Sequence, residues 1–292
     1  MDRTAAHDRS AFLAVGLMIL VAMFNAVDTV IVRLLSPSVH PFVMGLTRAF
    51  FGLLVVLPWI LRRPAILRSN YRFGHLLRAA LKLASLIAFF AAFARAPLAD
   101  ATAIAFTTPI FLTVGAWFFL GERPQALRIL AVIIGFTGVL LVVRPGGHSA
   151  VLDGLLLALL GAFLTAISLL VLKPMSARDS TETLVAWNLI LTVPIAALPA
   201  ALIWTTPSPL EWGLLAVQGA LGALNMGLIT RAMSLAEASL VAPFEFFRLP
   251  IVAALAFALF DQTVPLTTWL GGIVIFGATL LMARSARRHP AR

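Results

Sequence analysis

The amino-acid sequence predicts an all-α membrane protein with ten transmembrane helices, built as two five-helix repeats of inverted topology. Three observations lead to this fold class: apolar blocks of membrane-spanning length, an uneven distribution of basic residues, and segments that recur at a constant offset. Apolar residues make up 61% of the 292 residues and charged residues only 12%, whereas a soluble domain carries about 25% charged residues. The chain is therefore expected to lie mostly within a lipid bilayer.

The apolar residues form ten blocks of about 20 residues, the length at which a helix crosses a hydrocarbon layer ~30 Å thick. The first block follows the tail MDRTAAHDRS and lacks a small-residue cleavage site, so it is interpreted as a spanning helix and not as a signal peptide. Dense Leu, Ala, Ile and Gly without strict alternation argue against a β-barrel. The predicted spans lie near residues 11–33, 41–61, 74–95, 98–120, 126–143, 151–172, 183–204, 211–230, 236–260 and 264–284.

Basic residues in the connecting segments predict the orientation of the chain. With the N-terminus in the cytoplasm, fifteen Lys and Arg residues fall in cytoplasmic segments and only three, Arg33, Arg95 and Arg144, in outer segments. Basic residues favour the cytoplasmic side of a membrane, so we expect an even number of spans with both termini in the cytoplasm. The net charge of +10 is assigned to this topology signal and not to nucleic-acid binding.

Four pairs of segments recur at a nearly constant offset, close to half of the chain. RAPLADATAIA (95–105) is similar to RAMSLAEASLVA (231–242), and MFNAVDTVIVR (23–33) to AFLTAISLLVLK (162–173). FFLGERP (118–124) falls opposite ALFDQTV (258–264), and GFTGVLLVVR (135–144) opposite VIFGATLLMAR (274–284). This predicts a first repeat at 1–146 and a second at 147–292. Because each repeat holds five spans, the second enters the membrane inverted, as in many secondary transporters.

Lys82 interrupts an apolar stretch of the third predicted span. A charge at the bilayer centre costs about 2.5–3.5 kcal/mol, so it faces water, a partner or the interface. Arg78, Lys82, Ser85 and Phe89 share one helix face; Arg78 is close enough to the cytoplasmic end to snorkel. For Lys82 two interpretations stay open: snorkelling or a structural ion pair, and a cation in an aqueous cavity that meets a substrate carboxylate.

Other polar and aromatic residues inside the predicted spans extend this candidate substrate site. Each has an alternative structural role in helix packing, interhelical hydrogen bonding or an intrahelical ion pair such as Glu245 with Arg248. Prolines at Pro109, Pro243 and Pro250 predict bends beside a central cavity in spans four and nine. The candidate substrate-binding residues are Lys82, Asn25, Asp28, Ser85, Phe89, Thr108, Thr165, Trp187, Asn188, Asn225, Phe244 and Glu245.

Several classes of protein are disfavoured by what the sequence lacks. There is no cysteine, which excludes disulfides, cysteine nucleophiles and thiolate metal sites. No HExxH, Gly-x-Ser-x-Gly or Walker motif is present, so neither an enzyme, a cofactor, a bound metal nor ATP hydrolysis is expected. No filter motif of a channel is present. A carrier of a small-molecule substrate, in contact with membrane lipid and no nucleic acid, agrees best with the residues.

The segment LADATAIAFTTPIFLTVGAWFFLGERPQALRILAVIIGFTGVLLV (98–142) resembles the fourth and fifth spans of the drug/metabolite transporter superfamily, in its EamA branch. The matching features are Pro109, the motif Gly121, Glu122 and Arg123, and the pair Gly135 and Gly138; Arg48 also matches a basic residue early in the family's second span. In the second half, Asp261 and Phe260 stand where the family usually has Glu and Gly. The resemblance covers nearly the whole chain.

Within that branch the sequence looks like the YddG-type amino-acid exporters. This resemblance implies a bacterial inner-membrane exporter of aromatic and other neutral amino acids, working by alternating access around a central cavity. The expected protein is a monomer, with an oligomer as the alternative. Other cargoes remain open at this point, namely a drug, a nucleotide sugar or a sugar phosphate, as does a non-transporting receptor or scaffold.

Overall fold

The computed structural model describes residues 2–69, 71–119, 126–143, 149–176, 178–235 and 242–288, and these residues are helical throughout apart from short connections. Seven helices in this part of the chain are long and apolar enough to cross a membrane, and 129–143 and 266–281 form shorter apolar helices. A membrane-embedded helical fold is therefore confirmed, and the count of ten spans stays a prediction. The motif Gly121, Glu122 and Arg123 lies outside the described residues.

Eleven α-helices and two 3₁₀ helices make up the described fold. The 3₁₀ helices are Pro64–Leu67 and Ala242–Phe247. The α-helices are α1 (Asp2–Leu35), α2 (Pro41–Arg62), α3 (Arg72–Arg95), α4 (Leu98–Ala105), α5 (Thr108–Phe119), α6 (Ala126–Val143), α7 (Ser149–Met175), α8 (Thr181–Leu202), α9 (Pro209–Leu235), α10 (Arg248–Phe260) and α11 (Leu266–Arg288).

The predicted bends in spans four and nine are present. Span four is broken between α4 and α5 at Phe106 and Thr107, where Thr107 Oγ1 donates to the carbonyl of Ile104 at 2.7 Å. Span nine contains the 3₁₀ helix Ala242–Phe247 directly before α10. Phe106 and Phe246 lie at these breaks, at corresponding positions of the two halves, with ring centroids 5.3 Å apart. Helix interruptions at corresponding places in the two halves are typical of a transporter binding site.

Two hydrogen bonds between helices follow the same correspondence between the halves. The Asn225 amide of α9 donates to Asn25 Oδ1 of α1 at 2.6 Å, and the hydroxyls of Ser85 on α3 and Thr165 on α7 are hydrogen-bonded, also at 2.6 Å. The offset that relates Phe106 to Phe246 also relates Asn25 to Thr165, and Ser85 to Asn225. Because α1 packs on α9 as α3 packs on α7, corresponding helices of the two halves make corresponding contacts.

Helices α6 and α11 pack directly against each other through glycines. A Cβ atom added at Gly138 would lie 2.8 Å from Ile275 Cγ1 and 2.9 Å from the carbonyl oxygen of Gly271. Several large apolar side chains of these helices are exposed, Leu140 and Ile273 among them. The pair thus lies at the lipid-facing edge and joins the two halves, with glycines that allow the helices to approach closely.

Replacing Gly138 by alanine is expected to lower the stability of the protein. The added methyl group meets the backbone of α11, and overpacking of this kind costs about 1–3 kcal/mol. We expect a drop of roughly 5 °C in the thermal midpoint of the detergent-purified protein. Gly277→Ala on α11 is the control, because nothing lies within 4 Å of its added Cβ. Equal midpoints for the two variants would contradict close packing at Gly138.

Candidate functional site: connected cavities along the bundle

A central cavity of about 430 Å³ lies beside the breaks in spans four and nine. Helices α1, α2, α3 and α7 supply most of its wall, together with Phe106, Thr108 and Pro109 at the first break and Glu245 and Arg248 at the second. The two helix breaks therefore bring backbone and polar side chains from both halves to one cavity.

The charges around the central cavity are balanced in number, but one carboxylate has no direct partner. Asp28 and Arg48 form an ion pair at 2.5 Å, and Arg248 Nη2 donates to Thr29 Oγ1 at 2.8 Å. The Glu245 side chain is exposed to the cavity and has no hydrogen-bond or ion-pair partner among the described residues. Its carboxylate is therefore available to a positively charged group of a solute.

Phenylalanines of α3 form the apolar wall of this cavity. The Arg48 guanidinium carbon lies 6.0 Å from the ring centroid of Phe90, and that of Arg248 lies 5.9 Å from Phe93. Phe89 stacks on Phe93 with centroids 6.1 Å apart. Guanidinium groups at this distance are attracted by the ring quadrupole, which helps to fix both arginines at the wall.

Two smaller spaces of about 150 and 170 Å³ adjoin the central cavity and share Lys82 and Leu86. We call them together the Lys82 chamber. Arg48 and Asn188 border the first space, and Arg78 borders the second. The Lys82 side chain is exposed to the chamber and has no ion-pair or hydrogen-bond partner among the described residues. Lys82 therefore borders a cavity and forms no structural ion pair among the described residues.

A wider vestibule of about 460 Å³ continues from the chamber to the end of the bundle where α2 and α9 end. Trp59, Glu182 and Arg231 border it near that end. Its wall shares Val56, Val185, Ala223 and Met226 with the chamber. The central cavity, the Lys82 chamber and the vestibule thus form one series of adjoining spaces.

Nine of the twelve candidate residues border the central cavity or the Lys82 chamber. They are Asn25, Asp28, Lys82, Ser85, Phe89, Thr108, Thr165, Asn188 and Glu245. Asp28 is engaged by Arg48, and Asn25 by Asn225. Asn225 does not border these spaces; it is buried and acts between helices.

Trp187 and Phe244 do not border the central cavity or the Lys82 chamber. Trp187 stacks on the buried His75 with centroids 5.5 Å apart, and its indole N–H donates to the carbonyl of Leu67 at 3.2 Å. Phe244 stacks on Phe247 and packs against a small cluster of α1 and α9. Both rings belong to the packing between helices.

Three cations at the cavities were missing from the candidate set. Arg78 does not snorkel: it is buried, and its Nη1 donates to the carbonyl of Leu184 at 2.8 Å. Arg48 and Arg248 line the central cavity instead of facing the interface. The signal was present in the sequence. Of the 22 Lys and Arg residues, 18 fall in the predicted connecting segments, and these three and Lys82 are the four that remain.

The two halves of the chain each match a known family. Residues 12–144 and 152–284 match the EamA-like transporter family. The chain belongs to this family. The shift that takes position 12 to position 152 is the one that relates the hydrogen bonds Asn25–Asn225 and Ser85–Thr165 to each other. An EamA-like transporter of this kind is a multi-pass membrane protein.

Relatives of this EamA-like transporter carry different small molecules, according to their names. A riboflavin transporter of Rhizobium johnstonii is 32% identical over 82% of this chain and 80% of its own length. An S-adenosylmethionine uptake transporter of Rickettsia bellii is 27% identical over 94% of this chain and 95% of its own. A pseudopaline exporter of Pseudomonas aeruginosa is 30% identical over 69% and 72%.

A solved crystal structure has the same fold as this EamA-like transporter. It aligns with a TM-score of 0.63 at 19% identity and covers 97% of this chain and 99% of that chain. The likeness extends over the whole bundle and not over one repeat only.

Proposed function

We propose that this EamA-like transporter is an alternating-access exporter of amino acids with aromatic or other neutral side chains. It has ten spans in two inverted repeats, 1–146 and 147–292, and lies in a bacterial inner membrane with both termini in the cytoplasm. The observation that carries the proposal is the pair of charges without direct partners: Lys82 faces the chamber, and Glu245 faces the adjoining central cavity. Charges inside a membrane are retained next to partners or along substrate pathways.

The residues suit the three parts of an amino acid. Lys82 binds the carboxylate, Glu245 binds the ammonium group, and the side chain lies against Phe89, Phe90 and Phe106. Glu245 is preferred to Asp28 for the ammonium group, because Asp28 is already paired with Arg48. Helices α5 and α10 also begin beside the central cavity. Helix N-termini attract negative charge, so both ends suit the carboxylate of a cargo.

The S-adenosylmethionine uptake transporter among the relatives favours a second candidate cargo. S-adenosylmethionine is itself an α-amino acid with a planar ring, so it satisfies the same three contacts. Riboflavin has a planar ring system but neither a carboxylate nor an ammonium group. It would bind through the phenylalanine wall and neutral hydrogen bonds, and it would leave Lys82 and Glu245 without partners.

A reconstituted flux assay tests the proposal. Purified protein in liposomes is given labelled L-phenylalanine, L-tryptophan, S-adenosylmethionine, riboflavin or a nucleotide sugar, in both directions and with or without a pH gradient. We expect saturable flux of the amino acids. Flux of riboflavin or the nucleotide sugar alone would assign a different cargo. A protein that carries none of the solutes would support a receptor or scaffold instead.

A further inference from the structure

The Lys82 chamber carries more positive charge than the single carboxylate of a bound amino acid would balance. Asp28 and Glu245 offset Arg48 and Arg248 around the central cavity. The chamber, in contrast, is bordered by Arg48, Arg78 and Lys82, and no carboxylate of the described residues borders it. Because Asp28 already pairs with Arg48, Arg78 and Lys82 are two uncompensated positive charges.

These groups present hydrogen-bond donors to the chamber. Lys82 repels Arg78 and Arg48 electrostatically and has no protein partner among the described residues. Among the nitrogens of Arg78, only Nη1 has a hydrogen-bond partner in the described residues, the carbonyl of Leu184. Asn188 is 8% exposed, borders the chamber, and its amide nitrogen is buried without a partner in the described part of the chain. Lys82 borders both spaces of the chamber, Arg78 borders one and Asn188 the other, and charged donors of this kind form the strong hydrogen bonds that bind oxyanions.

We propose that the Lys82 chamber binds a dianionic oxyanion carried by the cargo, in the first place a phosphate monoester, while the body of the same molecule lies in the central cavity. The two spaces are continuous, because Leu86, Phe89 and Thr165 border both. A dianion neutralises both Arg78 and Lys82, whereas a monocarboxylate leaves one of them uncompensated. This inference rests on the proposed transport cavity but goes beyond the amino-acid cargo, because an amino acid with a neutral side chain carries no dianionic group.

The test compares two ligands that share a planar ring and differ in anionic charge. Equilibrium dialysis of the purified full-length protein measures the dissociation constants of phenyl phosphate and benzoate at about pH 7, where a phosphate monoester is mostly a dianion. We expect phenyl phosphate to bind about tenfold more tightly. Lys82→Gln and Arg78→Gln should each remove this preference, and Arg78→Lys, which keeps the charge, should retain most of it.

Three other results would overturn the oxyanion site or separate it from the amino-acid proposal. Equal affinity for the two ligands, or a preference that survives Lys82→Gln, would overturn the oxyanion site even if Arg78→Gln fails to fold. Inorganic phosphate that binds as tightly as phenyl phosphate would overturn the assignment to an organic cargo. If L-phenylalanine is not transported but phenyl phosphate is preferred, the amino-acid proposal fails and the oxyanion site stands.

Discussion

Replacing Lys82 by glutamine is expected to reduce transport of L-phenylalanine by about 30-fold or more, as the loss of one partner from a desolvated charge pair costs at least ~2 kcal/mol. The reason is that Lys82 is the cation of the chamber that no described protein group engages. The loss should appear as a raised KM in proteoliposomes. Thermal midpoints of both proteins are measured in parallel, to separate binding from folding.

Two controls sharpen this prediction. Arg95→Gln removes an exposed cation at the end of the same helix, α3, and should leave transport unchanged. Inhibition by 2-phenylethylamine, which has the ring and ammonium group but no carboxylate, should be equally strong in wild type and Lys82→Gln. Unchanged phenylalanine flux in Lys82→Gln would remove Lys82 from the binding role.

Cross-linking residues 38 and 211 is expected to stop transport almost completely. The Ser38 hydroxyl, in the turn between α1 and α2, donates to the Glu211 carboxylate at the start of α9, so the contact joins the two halves at the end of the bundle opposite the vestibule. Alternating access requires such contacts to open in one of the two states. The chain has no cysteine, so Ser38→Cys with Glu211→Cys introduces the sole thiol pair for a short cleavable cross-linker.

A matched pair within one half serves as the control. Ser208 and Glu211 are also hydrogen-bonded, with the backbone N–H of Ser208 donating to Glu211 Oε2 at 2.6 Å. Ser208→Cys with Glu211→Cys should cross-link without loss of flux, because both residues move together. Flux in the first variant should return when the linker is cleaved. Full flux through the cross-linked 38–211 variant would contradict opening at this end of the bundle.

The length of the apolar blocks was sufficient to locate the seven described helices that are long enough to cross a membrane, and the prolines to locate the two breaks. The cost of a charge in lipid left two interpretations of Lys82 open, and only the structure places it at the border of a chamber. The stacking of Trp187 on His75 could not be predicted, because the position of a ring along a helix does not say which neighbour it meets. Arg78 illustrates the same limit, since its partner is the carbonyl of Leu184 on another helix, far away in sequence.

The correspondence between the two halves reaches the ends of the bundle as well. Ser38 and Glu211 meet at one end, and their counterparts Arg178 and Tyr71 meet at the other, with the guanidinium carbon 5.9 Å from the ring. Because the two halves have corresponding structures, each half can in principle adopt the conformation that the other has here. If the proposed alternating-access function is correct, imposing the coordinates of each half on the other would generate the conformation that opens to the opposite face of the membrane.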